Sequence, residues 1–86
     1  MLVVDFRSTW CKPSLVIAPF FEELSGRFPA AVFASVDVDE LKTVMEEFNV
    51  SSLPSFKVFK GGKVVDELSG ATKTALESMV AKHTTD

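Results

Sequence analysis

The chain has 86 residues, twelve acidic against nine basic side chains for a net charge of −3, a hydrophobic fraction of 47% and eight phenylalanines spread along its length. This composition fits one globular domain, residues 1–86, near the lower size limit for a core built without disulfides or metal, and it excludes a disordered chain. No Lys/Arg cluster marks a nucleic-acid or membrane-surface partner, and the opening "MLVVDFRS" meets Asp5 too soon to be a signal or a membrane span, so a cytoplasmic location is expected.

"LVVDF" (2 to 6) is a short β-branched run, the pattern of a strand buried on both faces, with Asp5 as its odd member. From about Ser14, Ile17, Phe20, Phe21, Leu24 and Phe28 form the stripe of an amphipathic helix that closes near Gly26 and Pro29. Pro19 lies inside this stripe, where it predicts a kink and not a break. "AAVFASV" (30 to 36) is the next strand. "DVDE" then opens a second helix, residues 40 to 48, with Leu41, Val44, Met45 and Phe48 on one face and Asp39 as its expected cap.

The loop "NVSSLPS" (49 to 55) leads into "FKVFK", and the following "GGK" predicts a tight two-residue hairpin. A turn at Gly70 and a cap at Thr72 precede a closing helix with Leu76, Met79 and Val80 on one face. The order is βαβαββα. Strands separated by helices are expected to run parallel, with an antiparallel edge added by the hairpin, giving an α/β sandwich with a mixed four-stranded sheet. Phe20, Phe21, Phe28, Phe33, Phe48, Phe56 and Phe59 are the expected aromatic core.

Cys11 is the only cysteine, so it forms no internal disulfide, and Cys11 with His83 is too small a set for structural zinc. No cofactor or metal is expected. Cys11 follows the first strand at the start of a helix, where unpaired backbone N–H groups and the positive dipole end favour an anion. Lys12 adds a positive charge, and Pro13 is tolerated in a first turn. An exposed nucleophilic thiol is thus weighed against a small buried hydrophobe. His83 is expected to be solvated at the end of the last helix, away from any Cys–His pairing.

These residues resemble the thioredoxin family over nearly the whole chain. "LVVDF" resembles its central strand, "WCKPS" its WCGPC motif and "IAPFFEEL" the helix after it. "FASVDVDE" is similar to its next strand, "NVSSLPSFKVFKGGK" to its cis-proline loop and hairpin, and "LSGATK" to its glycine before the last helix. The resemblance implies a thioredoxin-like sandwich flanked by three helices. It implies Cys11 as the nucleophile, with Ser14 and Asp5 completing the catalytic set. The substrate-binding surface would be formed by Trp10, Lys12, Pro13, Leu53, the cis-proline Pro54 and Gly70.

Four departures qualify that reading. Ser14 stands where the family has its resolving cysteine, so a mixed disulfide on Cys11 has no internal thiol to release it. Lys12 replaces a glycine, and Arg7 with Ser8 replaces "WA", which changes the charge near the thiol. Ser35 replaces a lysine that faces the buried aspartate, so Asp5 is expected to lose its partner. It is then either the family's proton-handling carboxylate or a buried acid bonded to a hydroxyl, Ser14 or Ser35. The strand and helix that precede "LVVDF" in the family are not represented, and the exposed sheet edge suggests a homodimer.

The expected activity is thiol–disulfide exchange by one cysteine in redox homeostasis, acting on disulfide-containing proteins, with glutathione or another thiol as reductant. The alternatives are a non-catalytic binding or chaperone-like module of the same fold, and an ordinary dithiol reductase in which serine has replaced the second cysteine as a trap.

Overall fold

In a computed structural model, residues 1–41 and 43–84 are described. β1 (Leu2–Arg7), α1 (Lys12–Arg27), β2 (Val32–Asp37), α2 (Val44–Glu47), β3 (Ser55–Lys60), β4 (Lys63–Ser69) and α3 (Lys73–Thr84) follow in the expected βαβαββα order. The four strands form one mixed sheet in the order β2-β1-β3-β4. Among the described residues, no helix is long and apolar enough to cross a membrane.

β1 is the strand on which the others align. It is parallel to β2, with Asp5 opposite Ser35, and antiparallel to β3, with Asp5 opposite Phe56. Its period-two alternation feeds two cores. Val3 joins Ile17, Phe21 and Leu24 of α1 and Leu76, Met79 and Val80 of α3 on one face. Val4 and Phe6 join Val38 and Val50 on the other, where Val44 and Met45 of α2 pack against them. α1 runs unbroken through Pro19. The missing N–H of Pro19 deprives the Leu15 carbonyl of a partner on a face where Leu15 and Val16 are exposed.

Three expectations are corrected. The helix expected at residues 40 to 48 shrinks to the single turn Val44–Glu47, and Lys42, inside that range, lies outside the described residues. Before it the backbone is occupied by turns: the amides of Glu40 and Leu41 both donate to the Asp37 carbonyl, and Val44 donates to Leu41. Asp39 caps nothing there, because its carboxylate is drawn towards the loop after β1. The turn ends on Asn49 at φ 58, with Val50 N–H donating to Met45 and Asn49 N–H to Glu46, the paired closing bonds of a left-handed helix stop.

The second correction is the direction of β3. It was expected to be parallel like other strands separated by a helix, but it runs antiparallel to β1. β2 ends with Asp37 level with Arg7, and β3 starts with Ser55 level with Phe6, so the connection leaves and returns at one end of the sheet. One helical turn rises about 5.4 Å, whereas a six-residue strand spans roughly 20 Å, so α2 cannot carry the chain back across the sheet.

The hairpin forms as its glycines predict. Gly61 and Gly62 both take positive φ, 59° and 78°, and close Lys60 against Lys63. Of the expected aromatic core, Phe21 and Phe56 are buried together, whereas Phe48 is more exposed and touches Phe6 and Phe59 from the rim. His83 is not the solvated residue expected. Its Nε2 lies 2.8 Å from Asp66 Oδ2, pinning α3 to β4, and that contact pulls the Asp66 carboxyl below its ordinary value.

Burial sets the expected cost of substitutions. Leu24→Ala, in the fully buried face of α1, should lower stability by about 2–5 kcal/mol. Val16→Ala, on the exposed face of the same helix, should stay within about 0.5 kcal/mol. Denaturant melts of both variants check this, and equal losses would show that α1 does not bury the face described.

Candidate active site

The chain leaves β1 at Arg7 and enters α1 at Lys12, and the four residues between them carry the thiol. Cys11 is the N-cap residue of α1, with extended backbone (φ −93°, ψ 110°), and its carbonyl accepts the Leu15 N–H. No side-chain hydrogen bond caps this end, which leaves the positive end of the helix dipole at the residue that carries the sulfur. The thiol is half-buried. Its Sγ lies 3.8 Å from the Leu53 carbonyl oxygen, at the peptide bond to Pro54, which is cis.

The far wall is fixed from behind. The Pro54 carbonyl accepts the Gly70 N–H at 2.9 Å, and Gly70 adopts φ 99°, which a side chain would strain. Ser55 Oγ donates to the Ser52 carbonyl at 2.6 Å and braces the same loop. Thr9, Trp10, Val38, Asp39, Met45 and Leu53 line a shallow, mostly apolar groove beside the thiol. Trp10 is 76% exposed although its neighbours hold it in place. Lys12 and Pro13 are exposed at the start of α1.

Asp39 clamps the thiol loop. Its Oδ2 accepts Ser8 Oγ–H at 2.8 Å and, more weakly, the Thr9 N–H and hydroxyl at 3.4 Å, while Oδ1 accepts the Trp10 indole N–H at 2.8 Å. Ser8 Oγ in turn accepts the Trp10 amide. These donors hold the Asp39 carboxyl below its ordinary value, with the Ser8 hydroxyl contributing most. The sequence offered Asp39 only as a helix cap. The signal missed was that it stands just past a strand parallel to β1, and therefore at the same end of the sheet as Cys11.

Asp5 is fully buried on the α1 side of β1. The loss of the family's lysine does not leave Asp5 without a counter-charge, and the expected bond to a hydroxyl, Ser14 or Ser35, does not form. Arg7 supplies the partner, with Nη2 2.6 Å and Nε 2.8 Å from Oδ2. Residues two apart on a strand share a face, so this pair was readable from spacing. Burial pushes the Asp5 carboxyl up, and the Arg7 guanidinium opposes that push. Among the described residues, Asp5 Oδ1 and the buried Ser14 Oγ have no hydrogen-bond partner. The arrangement presents one half-buried thiol at a helix start with the Leu53 carbonyl opposite, and an ion pair on the strand that leads to it.

Comparison with known proteins follows the same line. The thioredoxin family model matches residues 1–82. An h-type thioredoxin of Ricinus communis is 48% identical over 83 residues, covering 96% of this chain and 70% of that protein. The structure of Plasmodium falciparum thioredoxin superposes with a TM-score of 0.92 at 46% identity, covering 95% of this chain and 80% of that one. A chain solved in work on thiol resolution in a yeast mitochondrial 1-Cys peroxiredoxin via glutathione/thioredoxin systems superposes at 0.90 with 36% identity, covering 94% of this chain and 76% of that one.

The Asp39 clamp has a pH signature. Because its carboxyl is lowered on folding, its stabilising contribution is complete above the ordinary value of 3.8 and is lost as pH falls through the lower folded value. Trp10 is the only tryptophan, so its emission should change in that acid window without global unfolding. Asp39→Ala should show the released emission at all pH values; an unchanged acid transition in the variant would mean that another group controls the loop.

Proposed function

The chain belongs to the thioredoxin family, and on that premise we propose that it performs thiol–disulfide exchange through a single nucleophile, Cys11, within one domain spanning residues 1–86. The observation that carries this reading is the half-exposed Cys11 sulfur at the N-cap of α1, across from the Leu53 carbonyl and beside exposed Trp10.

The thiolate attacks one sulfur of a substrate disulfide, a new S–S bond joins Cys11 to the substrate, and the other substrate sulfur leaves as a thiolate. Trp10 and the apolar groove supply contact area for the partner. Release then requires a second thiolate to attack the mixed disulfide. Position 14 lies one helical turn from Cys11, where a thiol could do this, but the serine there cannot. The resolving thiol therefore comes from outside the chain, as glutathione or a protein thiol.

The substrates are disulfide-containing proteins, and the role is redox homeostasis in the cytoplasm. The outer edge of β2 has no strand partner among the described residues, and Val32 is exposed on it, so association through that edge as a homodimer is part of the proposal. Light scattering over a range of concentrations should show the dimer, and a monomer throughout removes it.

An aromatic disulfide separates the single-thiol reading from the alternatives. The chain should release one aromatic thiolate and retain the other half as a stable adduct, with turnover only when excess glutathione is added. Cys11→Ala should form no adduct. Ser14→Cys should release both aromatic thiolates and close an intrachain disulfide. Absence of an adduct on the unsubstituted chain would sink the enzymatic reading and favour a binding module.

A further inference from the structure

Met45 has a chemistry that the exchange steps above leave unused. It lines the groove together with Trp10, Val38 and Leu53, and the Leu53 carbonyl is the atom 3.8 Å from Cys11 Sγ. Its side chain is half-buried, on a helix of one turn that has no buried residue. A thioether so placed is apolar contact surface for a partner and, at the same time, an oxidisable sulfur within reach of solvent.

The other two methionines are placed differently. Met79 is 7% exposed in the core that α1 and α3 share. Met1 packs against the same core at the end of β1 away from the thiol, where its carbonyl accepts the Val32 N–H. The groove also has little to offer an added oxygen. Its donors, the Thr9 hydroxyl and amide and the Trp10 indole N–H, are directed at Asp39, and Val38 and Leu53 present apolar side chains. A sulfoxide oxygen there keeps its water, which a docking partner must strip away.

We propose that Met45 is a modification site for hydroperoxides, and that its sulfoxide weakens the groove's hold on apolar partners while the Cys11 thiol keeps its chemistry. The thioether sulfur attacks the terminal peroxide oxygen, and an S–O bond forms as the O–O bond breaks. The proton of that oxygen passes to the departing one, which leaves as water or an alcohol. The thioether has given up two electrons and the peroxide has taken them. The effect on exchange rests on Cys11 as the reacting thiol, whereas the effect on binding does not.

In the experiment, Cys11 of the full chain is capped with an aromatic disulfide, hydrogen peroxide is added, and dithiothreitol then frees the thiol without reducing a sulfoxide. Peptide mass spectrometry should show an added oxygen on Met45 and none on Met79. Adduct formation is then timed with a peptide dimer that has leucines flanking its cystine, and with hydroxyethyl disulfide, which is too small to fill the groove. Oxidation should slow the peptide by about tenfold, the scale of one lost methylene contact, and leave the small disulfide unchanged. Met45→Leu should give the same rates with and without peroxide, which also controls for oxidation at Met1. Met45→Gln, polar and of similar length, should be slow towards the peptide before any peroxide is added.

Equal peptide rates before and after oxidation would overturn the proposal, as would a peroxide effect that persists in Met45→Leu, or Met79 oxidised as fast as Met45. If Met45→Gln does not fold, the oxidised chain against Met45→Leu decides. Binding is read separately on Cys11→Ala, which needs no cap, by titrating a thioether-bridged analogue of the peptide against the emission of Trp10, the only tryptophan. Peroxide should weaken that binding by the same factor; no binding, or binding that peroxide leaves unchanged, overturns the proposal. Should the titration behave as expected while Cys11 forms no adduct with any disulfide, the Met45 site stands and the exchange reading falls.

Discussion

The reactive end of this molecule depends on β1 being buried on both faces. A strand with Val3 packed to one side and Val4 and Phe6 to the other cannot slip by one residue without exposing every one of these side chains to the wrong layer. That fixes Asp5 and Arg7 on the α1 face and delivers the chain to α1 at one height. β2 and β3 take their register from the same strand, so Asp37, at the mouth of the Asp39 turn, and Ser55, next to Pro54, reach the same end of the sheet as the thiol.

Two aspartates near that end are shifted in opposite directions, and the contrast explains how the site is built. Asp39 is reached by several N–H and O–H donors, all of which favour its charged form. Asp5 sits in the core, where burial disfavours charge and a single guanidinium answers it. The first acts as a clamp on backbone and indole. The second is an ion pair whose partners lie two residues apart, so it adds little loop-ordering and much local field.

Much of this was legible in the sequence because it depends on local chemistry. The β-branched run at the start, the thiol between strand and helix, and paired glycines that tolerate positive φ each need only a few neighbouring residues. What was missed depends on competition between distant groups. The stripe Leu41, Val44, Met45, Phe48 is a sound helical pattern, but Asp39 was recruited by Ser8 and Trp10 and the first turns closed on Asp37 instead. The direction of β3 followed from that loss, since a helix of one turn does not recross the sheet. The Asp5–Arg7 pairing is different, for strand alternation alone implies it, whereas the family pattern places the partner across the sheet at position 35.

α2 gives the groove an unequal pair of walls. None of its residues is fully buried, and it contributes one helical turn, so little apolar contact opposes its opening. Its backbone amides belong among the first to exchange with solvent deuterium, by excursions that leave the β1-centred core intact. Leu53, on the other wall, is carried by a loop tied through Pro54 to the Gly70 amide. Met45 therefore lines the compliant side and Leu53 the stiff side. A thiol held against the stiff wall keeps its geometry while the unbranched methionine side chain repacks around partners of different shape.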